Sequence, residues 1–145
     1  RLIRTDLSFA QQKRALQIKT LLVDIERVGD MAEDIAQIGL EKIAEKIPFS
    51  EEAKRGYDTL WRHVYSTYQS AVQAFENGDR ELAKRVVKLE DEFDDMYLEA
   101  RKQHIQRVEG GVCAPKADII FTELLRILER ISDHADNIGE SVLNG

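Results

Sequence analysis

Hydrophobic residues recur at intervals of three and four along nearly the whole chain, the period of a helix that buries one face. Four such runs are separated by short breaks. The first is predicted over about residues 8–47. Ser8 can cap it, and Gln11 three residues later can return the bond, which makes a capping box. Leu21, Ile25, Val28, Ala32, Ile35 and Gly39 form its apolar stripe. Pro48 stops it, and its length leads us to expect a bend near Gly29 or Gly39. Ser50 opens the second helix, with Glu51 and Glu52 at its positive end and Leu60, Val64, Tyr68, Ala71, Val72 and Phe75 as its buried positions. Asn77-Gly78 marks a turn, and Asp79 caps a third helix striped by Leu82, Val86, Leu89, Phe93, Met96, Tyr97 and Ala100. "EGGVCAP", residues 109–115, is the next break. The fourth helix runs from about Lys116 to Leu143 on Ile120, Leu124, Leu128, Ile131, Ala135, Ile138 and Val142.

No run alternates with the period of a strand. Long helices joined by short loops become antiparallel neighbours, so the expected fold is all-α, an up-down antiparallel bundle. We read residues 1–145 as one domain, a first helix followed by a three-helix unit over about 50–143. The chain has only 8 Gly and 2 Pro, which suits long helices. Its net charge of −6 disfavours nucleic acid and favours cations or a basic partner. A single cysteine, Cys113, excludes an internal disulfide and fits a cytoplasmic setting. No apolar run is long enough to insert this chain in a membrane, and no signal-peptide pattern opens it. Because it begins with Arg1 rather than Met, the expectation is a fragment or processed chain.

One polar feature does not follow from packing. In "DIERVGDMAEDIAQI", residues 24–38, Glu26, Asp30 and Asp34 stand one turn apart, although like charges at that spacing repel. The pattern returns in "ILERISDHADNIGES", residues 127–141, with Glu129, Asp133 and Asn137 in the matching places. The apolar frame matches as well: Leu21-Leu22 with Leu124-Leu125, Ala32 with Ala135, Ile35 with Ile138. "KLEDEFDDMY", residues 88–97, adds Glu90 and Asp94 at the same spacing, with Asp91 and Asp95 beside them. Antiparallel packing of the third and fourth helices would bring Glu90 and Asp94 to Glu129 and Asp133. Such a patch of oxygens suits iron, manganese, magnesium or calcium better than a closed zinc site. The competing reading is a solvated acidic face, since these positions lie far around the helix from the apolar stripe.

The remaining candidates carry less. Ferritin-like di-metal enzymes add Glu-x-x-His motifs, which this chain lacks: Leu60, Arg101 and Ile131 precede His63, His104 and His134 by three positions. His104 reads as a core or boundary histidine. His134 reads first as an exposed residue and second as a metal ligand. Cys113 has no partner base, and no glycine-rich phosphate loop is present.

"DIERVGDMAEDI" and "LERISDHADNI" resemble the repeated signature of PhoU-like domains. The longer stretch "HIQRVEGGVCAPKADIIFTELLRILERISDHADNI", residues 104–138, resembles the PhoU-like cytoplasmic tail of bacterial sodium/phosphate cotransporter-type proteins. The resemblance implies two related three-helix bundles, each with a signature helix, in regulators of phosphate uptake. Some members hold multinuclear metal clusters in the acidic motifs. Carried over by position, Glu26, Asp30 and Asp34 belong to the first signature, and Glu129, Asp133 and Asn137 to the second, with Glu90 and Asp94 as its acidic partner. Asp34, Ser132 and Met31 depart from the usual residues. The acidic partner of the first signature would lie upstream of Arg1, so the first site is incomplete here unless a symmetry mate supplies it.

The expected function is therefore a non-enzymatic regulatory or accessory domain of phosphate uptake. It would act by binding a transporter or signalling protein, at the inner membrane face if transmembrane segments lie upstream. Self-association is expected through uncovered apolar residues around Leu21, Ile25 and Ile35. The alternatives are a helical di-metal carboxylate enzyme and a plain helical interaction module without metal.

Overall fold

In a computed structural model, residues 8–145 are described; the first seven, which the domain reading of 1–145 includes, lie outside the described residues. Four helices follow one another: α1 (Phe9–Ala44), α2 (Glu51–Asn77), α3 (Arg80–Glu109) and α4 (Pro115–Asn144). No strand occurs among the described residues. The caps fall where the sequence places them. Ser8 Oγ accepts from the Gln11 amide while the Gln11 side chain accepts from the Ser8 amide. Ser50 caps α2 at Ala53, Asp79 caps α3 at Leu82, and Pro115 occupies the first turn of α4, where its missing N–H costs nothing. α1 continues as one helix through Gly29 and Gly39 and ends at Ala44, just before Lys46 takes a left-handed φ of 54°.

α2, α3 and α4 each pack on the other two, and α1 packs chiefly on α4. The α1–α4 pairing is antiparallel: Gln17 donates to the Ser141 carbonyl at one end and Lys116 meets Glu45 at the other. α4 therefore serves as the common axis. A helix touched from several sides buries more than one stripe. α4 accordingly buries Leu124, Leu125, Ile127, Leu128, Ile131, Ala135 and Ile138. From the other helices, Val64, Val86 and Phe93 are completely buried. Each such side chain contributes roughly 1.5–3 kcal/mol of transfer free energy.

The stripe expected for α1 is half right. Val28 is buried and Leu21 and Ile35 are partly so, but Ile25 and Ala32 are exposed. The face turned to α4 is instead Gln17, Leu21, Asp24, Val28, Met31, Ile35 and Ile38. Those positions alternate four and three residues apart, as a packed seam requires. The sequence reading departs from this register because Asp24, a charged residue, stands in the middle of it.

At the loop end of the bundle, three helices share one polar knot. Arg107 of α3 is buried, donates to Glu52 of α2 at 3.2 Å, and places its guanidinium 5.3 Å from the centre of the Phe121 ring of α4. His104 stacks on the same ring at 4.8 Å and is hydrogen-bonded to Asp118 at 2.5 Å. The core reading of His104 holds.

Candidate functional site

The acidic residues of α3 and α4 lie within electrostatic reach of one another where the two helices pack. Glu90, Asp91 and Asp94 each offer an oxygen within 4.8 Å of the others. Opposite them, Glu129 and Asp133 of α4 feel Asp94, and Asp136 feels both Asp91 and Asp94. The two helices come close here because Gly139 has no side chain; a Cβ there would meet Val86 Cγ1 at 3.0 Å.

The electrostatics are those of crowded anions. Glu90 is pushed up to about 7, first by desolvation and then by Asp94, Asp136, Asp133 and Asp91. Asp136 is pushed up to about 6 by desolvation, with Glu140, Asp91, Asp133 and Asp94 adding to it. Burial and Asp133 raise Glu129, which Arg101 and Arg126 partly offset. Asp133 is raised by burial and by Asp94, against the lowering effect of His134. Asp136 Oδ1 is buried and has no hydrogen-bond partner. A buried carboxylate oxygen without a donor costs free energy, and a bound cation would remove that cost. The all-oxygen donor set suits a hard or borderline cation.

Of the four expected residues, Glu90 and Asp94 belong to the close oxygen cluster, and Glu129 and Asp133 are within electrostatic reach of Asp94 but outside that cluster. Asp136 and Glu140 join them and were missed. Their signal was present: Glu129, Asp133, Asp136 and Glu140 are spaced four, three and four residues apart. At 100° per residue that spacing stays within about 60° of the helix surface, whereas Asn137 lies about 80° around from Glu129. Asn137 is exposed.

Glu26, Asp30 and Asp34 are also exposed. They line a separate groove on α1 together with Arg27 and with Arg130 of α4, and no acidic helix faces them among the described residues. His134 is not the exposed residue expected from its polar neighbours. It is mostly buried, and its Nδ1 lies 2.7 Å from Asp24 Oδ1, itself buried in the α1–α4 seam. That bond commits His134 Nδ1 to joining α1 and α4. The Asp24–His134 pair was missed because its partners lie 110 residues apart.

The sequence profile of the PhoU domain matches residues 59–142, which holds both helices of the acidic groove. The chain is 32% identical over 120 residues to a phosphate-specific transport system accessory protein PhoU homolog of Thermotoga maritima, covering 83% of this chain and 51% of that one. It is 32% identical over 132 residues to the corresponding Pseudomonas aeruginosa homolog, covering 88% and 52%. YjbB of Salmonella typhimurium, a protein proposed by its name to export inorganic phosphate, is 23% identical over 145 residues, 99% of this chain but 27% of its own. The chain spans about half the length of the two PhoU relatives. No solved structure gives a significant match.

Proposed function

The chain belongs to the PhoU family, and from that premise we propose that it is a regulatory, non-enzymatic domain of phosphate transport. It would act by binding a transporter or signalling protein of the uptake system, as the accessory role in its relatives' names implies. No helix among the described residues is long and apolar enough to cross a membrane. The finer reading is that of a tail on the cytoplasmic face of a sodium/phosphate cotransporter-like protein. Two observations support it. In YjbB the matching region is a minor part of a longer chain. Within the "HIQRV…GGVCAP…F" stretch, His104, Arg107 and Phe121 form a buried knot, while the intervening loop is largely exposed. Metal binding belongs to the same proposal. Glu90, Asp91, Asp94, Glu129, Asp133 and Asp136 would hold a manganese-, iron-, magnesium- or calcium-type ion. The ion would neutralise the groove and join α3 to α4, setting the shape presented to the partner. The observation that carries this is the set of raised carboxyls flanking an unpartnered Asp136 oxygen.

The test has two arms. Titration calorimetry and elemental analysis with manganese and with anaerobic ferrous iron should find binding in the parent chain. The Asp94→Asn/Asp133→Asn double variant should lose at least about tenfold in affinity, equivalent to about 1.4 kcal/mol. Absence of bound metal in the parent removes the metal part. Separately, deleting the domain from its host cell should change the rate of labelled phosphate uptake. Unchanged uptake under both phosphate-rich and phosphate-poor growth would sink the transport reading.

A further inference from the structure

A cleft of about 450 Å³ runs between the C-terminal half of α3 and the N-terminal half of α4. That volume is in the range of small-ligand sites. Asp94 acts on Glu129 and Asp133 while His104 meets Asp118, so the two helices are antiparallel and the lining is ordered from end to end. At one end stand Arg101 of α3 and Arg126 of α4, both close enough to Glu129 to act on its carboxyl. Ile105 and Leu125 follow, and then Val108, Glu109 and Asp118.

The two arginines differ from Arg107, which is buried and bound to Glu52. Arg101 and Arg126 are exposed. Arg101 lies over the Tyr97 ring, 6.0 Å from its centre. Arg126 meets Glu123 at 3.3 Å on its own helix, in a solvent-exposed pair of the kind that holds weakly and exchanges. Two guanidiniums lining one space offer paired N–H donors in the geometry that suits a phosphoryl dianion.

A free phosphate ion is far smaller than the cleft, and the rest of the wall has its own chemistry. Ile105 and Val108 are 49% and 38% exposed and offer apolar contact. Glu109 lies eight residues beyond Arg101, about 12 Å along the helix. Asp118 is held in place by His104 Nε2 at 2.5 Å and by the Thr122 hydroxyl at 3.4 Å. Ionised carboxylates only accept hydrogen bonds, so this end suits hydroxyl or amino donors.

We propose that the cleft binds a phosphate monoester of nucleotide size, with its phosphoryl group between Arg101 and Arg126 and its donors at Glu109 and Asp118. The proposal deepens the phosphate-transport reading and rests on it for the choice of phosphorylated ligands. Glu129 opposes the phosphoryl charge. Burial and Asp133 raise its carboxyl, which lessens that opposition. A cation on the neighbouring carboxylates would lessen it further, so affinity should rise with magnesium.

Titration calorimetry of the 145-residue chain tests this, with chelator and again with magnesium. The probes are AMP and ribose 5-phosphate, their dephosphorylated forms adenosine and ribose, and inorganic phosphate. At least one monoester should bind about tenfold or more tightly than its dephosphorylated form and than inorganic phosphate. Arg101→Gln/Arg126→Gln should lose about tenfold or more of that affinity, and Arg101→Lys/Arg126→Lys should keep part of it, because charge survives without the fork. Arg85→Gln removes an exposed charge of α3 outside the cleft and should change nothing. Should the Gln pair fail to fold, Arg101→Gln and Arg126→Gln singly, each at an exposed site, carry the comparison. The proposal is overturned if neither monoester outbinds its dephosphorylated form in either condition. Inorganic phosphate binding as tightly as the monoesters overturns it too, as do Gln variants that bind like the parent. Such failures leave the uptake measurement untouched, and unchanged uptake after deletion of the domain would leave these titrations standing.

Discussion

α1 and α4 carry nearly the same motif and have different surroundings. Leu125 is 2% exposed and its counterpart Leu22 is 60%; Leu128 is fully buried and its counterpart Ile25 is 37% exposed. The acidic rows differ in parallel. The row on α4 is electrostatically coupled to Glu90, Asp91 and Asp94 of α3, whereas the row on α1 has only Arg27 and Arg130 as its charged neighbours in the groove it lines. A motif therefore does not decide the chemistry of its carboxylates; the facing helix does. Desolvation heads the causes of the raised carboxyls on α4, and it requires a second helix to exclude water.

Three measurements can break this contrast, in order of expected effect. Leu128→Ala should destabilise the fold by about 2–5 kcal/mol, the range for emptying a buried aliphatic site. Ile25→Ala, at the matching position, should cost under about 1 kcal/mol, because little transfer free energy is lost at a partly exposed site. Denaturant melts of the two variants test this, and equal losses would mean that α1 is covered as fully as α4.

The second measurement is pH. Glu90 and Asp136 bind protons more tightly in the folded than in the unfolded chain. Through the window from their unfolded values near 4 up to about 7, the folded state holds more protons. Stability of the metal-free protein must then fall as pH rises through that window. Its melting temperature should be higher at pH 5 than at pH 8, and Glu90→Gln should flatten the slope. Glu26→Gln and Asp30→Asn should leave the slope in place. A slope that survives Glu90→Gln and disappears with the α1 variants would reverse the assignment.

The smallest effect is also the most specific. Asp133→Asn relieves the Glu129–Asp133 repulsion, so the metal-free fold should gain about 0.2–0.5 kcal/mol for that pair. The gain should turn into a loss once manganese is added, if the groove holds it. Thermal melts with chelator and with metal check both signs.

Helix number, caps and the stripe of α3 were legible in the sequence, because burial there follows a single period; for α4 one stripe was legible, and the burial of Phe121, Leu125 and Ile127 on its other side was not. That Glu90 and Asp94 would lie within electrostatic reach of Glu129 and Asp133 was legible too, since a short loop forces α3 and α4 to be antiparallel. The register of α1 was not. α1 has two apolar seams side by side, and periodicity cannot tell which one a neighbour occupies. Asp24 marked the occupied seam as polar, and only the distant His134 explains its burial. Asp136 escaped notice because a strict four-residue step leads to Asn137, whereas a helix face is kept by alternating fours and threes.

The placement of α1 has a consequence during synthesis. Its strongest contacts are with α4, and the Asp24–His134 pair spans 110 residues. α1 leaves the ribosome before α4, the surface it docks on. At about 5–20 residues per second, roughly 5–20 s separate the two. Throughout that delay the face of α1 that docks on α4 lacks its α4 partner, so the nascent chain passes through a stage in which Val28 and Met31 await cover. α2–α3–α4, built from neighbouring hairpins, is complete when α1 closes on it.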